Sequence, residues 1–411
     1  MIRILRAWAR DPLLVFSILA LSLFGVAMIY SAGVLNVPSP VTQNVWQRQL
    51  LHLLLALAIF TGLTRVPLRW VEWAALPAYV AGILLLVATL IIGTGSGTAA
   101  GVKSWIVLGG FRFQPAEVAK LATILALARL LSSREQAPLN LRELVAPAAV
   151  VAVPLGLVVL QPDLGSALAF VGILFATLYW AGVPVAILAL VASPGLGLIL
   201  SFDTLLWSLY IVLLVFSLYF YRYRLYLVES VSVVLANLAA GTIALPLWRS
   251  LAEYQRNRIL VFLDPNVDPQ GAGWHLIQSK VAIGSGALLG KGFTKGTQKR
   301  LDFLPEQHTD FIFSVVGEEL GFLGTSLVLL AFAYVLSRLV RLAAEASDPF
   351  AGLVVFGIFG AWITHIFVNI GMTIGMVPIT GIPLPFVSYG GSFLLMSWVA
   401  AAIAVRVAQE D

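Results

Sequence analysis

EQHTDFIFSVVGEELGFLGTSLVLLAFAYVLSR, residues 306–338, is the stretch that decides the fold. From Phe311 onward it is apolar for long enough to cross a bilayer, which takes about 20 residues of helix. Just ahead of that run stand Glu306, His308 and Asp310, and about two turns inside it stand Glu318 and Glu319. Carboxylates in hydrocarbon are expensive and line a polar pathway or pair with a cation. The segment therefore reads as a membrane span with ionisable chemistry at its mouth.

The rest of the chain is of the same kind. Of 411 residues, 60% are hydrophobic and 11% charged, against roughly 25% charged in soluble domains. A soluble core of this size could not be given a polar shell. Apolar runs near 12–31, 47–64, 70–93, 116–131, 144–161 and 164–181 continue near 184–201, 204–221, 228–248, 311–338, 350–373 and 386–407. They predict an all-α polytopic transmembrane helix bundle of about twelve spans, with residues 1–411 forming one integral membrane domain. Pro194 and Asp203 interrupt the 184–248 stretch. The first run is too long for the roughly 7–15-residue core of a signal peptide and is read as a retained span.

Cysteine is absent, which excludes a disulfide framework, a thiol nucleophile and a Cys-based metal site. His52, His275, His308 and His365 lack the i,i+4 pairing of a zinc helix. The net charge of +5 does not call for nucleic acid. In a membrane protein, basic residues mark topology and anchor anionic membrane lipids. Arg3, Arg6, Arg10, Arg65, Arg69, the 129–142 region, Arg222, Arg224, Arg338, Arg341 and Arg406 fall on one side, read as cytoplasmic along with both termini. Parity puts 94–115, 249–310 and 374–385 on the opposite side, so 249–310 is expected as a long extracytoplasmic loop. Its own basic residues do not violate the rule, which lapses for loops beyond about 60 residues. Trp8, Trp46, Trp70, Trp180 and Trp248 sit at expected span ends.

The polar residues gather in a few segments. Asp310 reads either as a helix cap or as an acid–base group at the mouth of a hydrated cavity. GWHLIQSKVAIGSGALLGKGFTKGTQKR (residues 273–300) carries Lys280, Lys291, Lys295 and Lys299 among glycines. It could bind an anion such as pyrophosphate, or be a flexible re-entrant loop. GVKSWIVLGGFRFQPAEVAK (residues 101–120) places Lys103, Trp105 and Arg112 outside, with Glu117 and Lys120 one turn apart in the next span. That pair is expected to share a cavity with Asp310, paired together or with Glu318. QPDLGSA (residues 161–167) puts Asp163 in a turn or cap, and VPITGIPLPFVSYGGS (residues 377–392) is a Pro/Gly-broken entry into the last span.

Taken together, KSWIVLGGFRFQPAEVAK, QPDLGSAL, RNRILVFLDPNVDPQGAGWHLIQSKVAIGSG, GKGFTKGTQKRLDFLPEQHTDFIFSVVGEELG and GIPLPFVSYGGS resemble, in that order, the SEDS family of bacterial cell-wall proteins. The wording around GTQ and LDFLPEQHTDF is closer to the elongation branch than to the division branch. The resemblance implies a peptidoglycan glycosyltransferase in the bacterial cytoplasmic membrane. It would polymerise lipid II from undecaprenyl-pyrophosphate-linked glycan, beside a class B penicillin-binding protein acting as transpeptidase. It places the family's essential aspartate on Asp310, in a catalytic 249–310 loop. It also implies about ten spans, so 184–248 reads as a two-helix insertion. Candidate substrate-binding residues are Arg48, Lys103, Trp105, Glu117, Lys120, Asp163, Arg258, Lys291, Lys295 and His308. Charge on the leaving pyrophosphate must be met by one or more of the cations Arg48, Lys103, Lys120, Arg258, Lys291 and Lys295, or by a divalent cation; no spacing specifies metal ligands. Rival readings are a lipid II flippase, against which stands the lack of an internal repeat, a division-type polymerase, and a non-catalytic scaffold.

Overall fold

The computed structural model describes residues 11–37, 44–95, 103–109, 111–134, 136–221, 226–269, 271–304 and 306–410. Arg3, Arg6, Trp8, Arg10, Arg222 and Arg224 lie outside the described residues. The apolar runs all become helices: α1 (Pro12–Ala32), α2 (Val45–Leu63), α3 (Leu68–Ile92), α4 (Pro115–Ser132), α5 (Val145–Leu160), α6 (Leu164–Trp180), α7 (Val185–Leu200), α8 (Thr204–Tyr221) and α9 (Leu227–Ser250). After the shorter α10 (Glu253–Leu263), α11 (Ala272–Ser285) and α12 (Thr297–Arg300) come α13 (Ile312–Glu345), α14 (Pro349–Ile374) and α15 (Gly391–Glu410). Among the described residues, seven helical stretches are long and apolar enough to cross a membrane unaided, and α6, α7 and α8 are shorter apolar helices. A hairpin of β1 (Ile106–Leu108) and β2 (Phe111–Phe113) precedes α4.

The expected 249–310 loop is a correction: α10, α11 and α12 occupy much of it. A length rule tuned to bilayer spans passes over helices this short. The last span is also shorter than expected. Residues 386–390 are irregular, because prolines at 383 and 385 and a left-handed Phe386 (φ 65°) delay the helix to Gly391.

α14 is the buried axis of the bundle, packed on α6, α13 and α4. Small residues allow that approach. A Cβ on Gly172 would stand 1.9 Å from Thr364 Oγ1, and one on Gly360 would stand 2.3 Å from Ala176 Cβ. α7, α8 and α9 pack mainly on one another. Asn237 Nδ2 donates to Ser193 Oγ (2.8 Å), and Tyr210 Oη donates to Asn237 Oδ1 (2.9 Å), which joins the three helices. The 184–248 stretch, where a two-helix insertion is expected, forms this trio.

α13 is two helices in series, broken at Gly321 (φ 63°, ψ −161°). A break at membrane depth is tolerated only where other groups satisfy the freed backbone. Here residues 287–292 do so. The amides of Lys291 and Gly292 donate to the carbonyls of Glu318 (3.0 Å) and Glu319 (2.9 Å). The amides of Phe322 and Leu323 donate to Ala287 (2.9 Å) and Leu288 (3.1 Å). The approach is so close that a Cβ on Gly290 would lie 2.1 Å from the Glu319 carbonyl. The glycine-rich segment is thus a backbone patch on α13.

The expected basic side gathers at one end of the bundle. Arg338 pairs with Asp11 (2.6 Å), Arg406 pairs with Glu410 (2.5 Å) and reaches the Thr64 carbonyl (3.5 Å), and Arg129 reaches the Glu72 carbonyl (3.3 Å). Asp310 and the 377–392 strap lie at the other end.

Candidate active site

Residues 306–311 leave α12 and enter α13 through consecutive turns, with the amides of Thr309 and Phe311 both donating to the Glu306 carbonyl. The strap 377–392 holds those turns from behind. Tyr389 N–H donates to the His308 carbonyl (2.9 Å), and Ser388 Oγ donates to the Thr309 carbonyl (2.6 Å). Gln49 of α2 donates to the Ser388 carbonyl (3.2 Å). Asn369 of α14 donates through Nδ2 to the carbonyls of Asp310 (3.0 Å) and Ile382 (2.7 Å). The Pro/Gly-broken segment is therefore the wall of the site.

Asp310 does not cap α13. Phe311 occupies the N-cap position, and no side chain accepts a capping bond there. The carboxylate is half-buried and in contact range of Gly381, where a Cβ would stand 3.0 Å from Oδ2. Burial raises its pKa from 3.8 to about 7, and the charge of Glu306 adds to the rise. Arg258 and the Thr309 hydroxyl pull the other way, and Asp163 raises it slightly. Desolvation wins.

Arg258 lies on α10 with its guanidinium 5.8 Å from the centre of the Tyr254 ring. Both residues, with Pro162, Ile379 and Thr380, line a cavity of about 50 Å³ beside Asp163. The Tyr254 hydroxyl is buried without a hydrogen-bond partner. Asp163 is the cap of α6, accepting from Ser166 N–H (3.0 Å) and from Gln114 Nε2 (3.0 Å). His308 is buried against Tyr389 with its Nδ1 unpartnered, and burial lowers its pKa.

The expected single cavity is corrected. Glu117 and Lys120 are buried and paired at 2.8 Å, and Lys120 Nζ also donates to His365 Nε2 (2.9 Å). They line a cavity of about 40 Å³ with Trp362 and Phe393, and Asp310 is not among its lining residues. Glu318 is elsewhere, bound by Lys291 Nζ (2.8 Å), Thr297 Oγ1 (3.1 Å) and Gln298 N–H (2.9 Å). Lys291 is therefore committed to holding the patch on α13. Glu319 binds the fully buried Lys299 (2.7 Å) and Ser31 (2.6 Å). Lys295, Lys103 and Arg48 are exposed. Trp105 is half-buried, bridged to Thr94 through paired backbone hydrogen bonds. Among the described residues, no three His, Asp or Glu side chains converge to hold a metal ion.

Three residues were not singled out from sequence. Tyr254 carried no signal. His365 and Asn369 carried one: two polar side chains, four apart, inside an otherwise apolar span.

The chain matches the cell cycle protein family of FtsW, RodA and SpoVE over residues 12–411. It is 34% identical over 397 residues to the peptidoglycan glycosyltransferase MrdB of Escherichia coli K12, covering 97% of this chain and 93% of MrdB. It is 31% identical to the peptidoglycan glycosyltransferase RodA of Treponema pallidum, covering 97% of each. Its fold is similar to a solved chain from a peptidoglycan synthase complex that coordinates polymerization and crosslinking. The TM-score there is 0.70 at 30% identity, over 98% of both chains.

Proposed function

Because the chain belongs to the FtsW, RodA and SpoVE family, we propose that it is a RodA-like peptidoglycan glycosyltransferase that polymerises lipid II at the outer face of the cytoplasmic membrane. The observation that carries the catalytic assignment is Asp310: a half-buried carboxylate, free of capping duty, with a pKa near 7. In the proposed reaction, the 4-hydroxyl of the GlcNAc of lipid II attacks the anomeric carbon of the growing glycan, with inversion. The hydroxyl proton passes to Asp310 and the sugar–phosphate bond breaks. Its electron pair leaves on undecaprenyl pyrophosphate. A sugar hydroxyl is a weak nucleophile, and a base whose pKa lies near the working pH suits that task.

Charge on the departing diphosphate needs a cation. Arg258 is best placed, sharing a charge interaction with Asp310 and lining the neighbouring cavity. A divalent cation carried on the diphosphate is the other source. Lys120 is neutralised by Glu117, and Lys291 by Glu318, so neither is an uncommitted cation. A class B penicillin-binding protein is the proposed partner, since the similar solved chain comes from a synthase complex that couples polymerization to crosslinking.

The test is purified protein in lipid II vesicles. Glycan strands support the polymerase, translocated but unpolymerised lipid supports a flippase, and neither supports a scaffold. In the same assay, initial rate is expected to rise with pH, half-maximal near pH 7, because only the ionised carboxylate accepts the proton. A profile flat from about pH 5 to 9 contradicts the base assignment.

Sidedness has its own test, and the cysteine-free chain makes it simple. A Lys295→Cys variant is expected to react with a membrane-impermeant maleimide on intact spheroplasts. Ser133→Cys, exposed just beyond α4, should react only after lysis. The reverse pattern would invert the proposed topology.

A further inference from the structure

His365 and Asn369 lie one turn apart on the same face of α14, and each makes two polar contacts, one of them to a carbonyl of the 381–383 bend. Asn369 uses both amide hydrogens, one for the carbonyl of Asp310 and one for the carbonyl of Ile382. An ammonium can only donate, so His365 Nε2 accepts from Lys120. The ring proton therefore sits on Nδ1, which donates to the Pro383 carbonyl at 3.0 Å. The upper residue joins the catalytic aspartate to the bend at 381–383, and the lower one joins the intramembrane ion pair to the same bend. The bend itself abuts the Asp310 carboxylate at Gly381, whose φ of +74° is a left-handed conformation that favours glycine and where a Cβ would crowd Oδ2 at 3.0 Å.

Neither side chain is explained by packing alone. Asn369 is fully buried, yet its Oδ1 has no hydrogen-bond partner. A buried unsatisfied acceptor is a cost that an apolar residue would avoid. What asparagine offers here is two donors in one plane, aimed at two carbonyls from different segments.

We propose that Asn369 and His365 are positioning residues for glycosyl transfer, forming a bracket on α14 that keeps Asp310 and the Glu117–Lys120 pair in fixed register through the Ile382 and Pro383 carbonyls. The inference rests on the reading of Asp310 as the base. It adds that the base is aligned by a membrane helix as well as by the turns that carry it. Lys120 in turn is held between Glu117 and His365, which ties it to the bend through the imidazole.

The experiment compares Asn369→Leu, His365→Leu and His365→Gln with the unaltered protein in lipid II vesicles, reading kcat, KM and melting temperature. A displacement of about 1 Å at a reacting group lowers rate by about 10²-fold. Asn369→Leu is expected to lower kcat by about that factor while KM stays within about threefold, the mark of an interaction spent on the transition state. His365→Leu is expected to lower kcat about tenfold or more. His365→Gln keeps a donor for Pro383 and an acceptor for Lys120, and should recover most of that loss at the same melting temperature. The proposal is overturned if both leucine variants keep kcat within about twofold, if KM rises while kcat holds, or if His365→Gln is no better than His365→Leu at equal stability. Should Asn369→Leu fail to fold, the two His365 variants decide. Asp310→Asn in the same series separates the two readings. An active Asp310→Asn sinks the base assignment, whereas an inactive one beside fully active leucine variants sinks the bracket alone.

Discussion

Asp310→Asn is expected to abolish glycan polymerisation while leaving a folded, inserted protein. The change keeps the side chain's size and removes the proton acceptor, and a general base supplies about 10²–10⁴-fold in rate. A capping role predicts little loss, because asparagine caps as well as aspartate, and the N-cap position belongs to Phe311 in any case. Stability adds a second, independent readout. The folded-state pKa of Asp310 is raised from 3.8 to about 7, so the folded protein binds more protons than the unfolded chain between those values. This group therefore lowers stability as pH rises from about 4 to about 7, and the cost persists above that window. Asp310→Asn carries no such cost. It should melt higher than the parent at pH 8, with the difference shrinking as the pH is lowered toward 4. Near-parental polymerase activity at matched expression would overturn the assignment.

Glu319→Ala is expected to be the most destabilising single change in the α13 region. Glu319 and Lys299 are both fully buried and bound to each other at 2.7 Å, with Ser31 as their shared neighbour. Removing the carboxylate leaves an ammonium with no exposed surface, and breaking such a pair costs about 3–5 kcal/mol. Replacing both partners, as Glu319→Ala with Lys299→Met, should recover much of that loss, because no buried charge is left behind. Melting temperature in detergent, followed by tryptophan fluorescence, reads both variants. A double variant no more stable than Glu319→Ala would show that the pair's contribution is packing and not charge.

How much of this was written locally in the chain differs from residue to residue. The spans were legible because their signal is length and apolarity, which needs no partner. Asp310 was legible as a candidate: a carboxylate at the edge of such a run reads as a cap or as an acid–base group, and in the fold the cap position falls to Phe311. The segment GSGALLGKG was not, since its glycines answer to a break at Gly321, and its lysine to Glu318, about 30 residues away. A loop built to bind an anion and a loop built to patch a helix show the same composition. α10, α11 and α12 were hidden for another reason: they are short and lie where a bilayer rule sees only polarity. The failed expectation of one cavity holding Asp310, Glu117 and Glu318 has the same root. The Glu117–Lys120 pair itself was legible from its i,i+3 spacing, whereas the cation that answers Glu318 and the wall between that pair and Asp310 depend on tertiary neighbours that spacing does not reveal.

The break at Gly321 has a bearing on membrane thickness. Unbroken, the 34 residues of α13 would run about 51 Å at 1.5 Å per residue, far more than the roughly 30 Å of hydrocarbon. Residues 322–345 alone cover about 36 Å and can span with a modest tilt. The piece ahead of the break is anchored sideways, to residues 287–292, to the half-buried Lys291 and to the buried Lys299, and the same patch also takes the first two amides beyond the break, those of Phe322 and Leu323. When the bilayer thins or thickens, the helix beyond Leu323 can re-tilt below that patch while Asp310 keeps its place against the strap. The enzyme's rate should therefore vary little across vesicles of different acyl-chain length, a tolerance to hydrophobic mismatch that a single continuous helix leading straight into Asp310 could not provide.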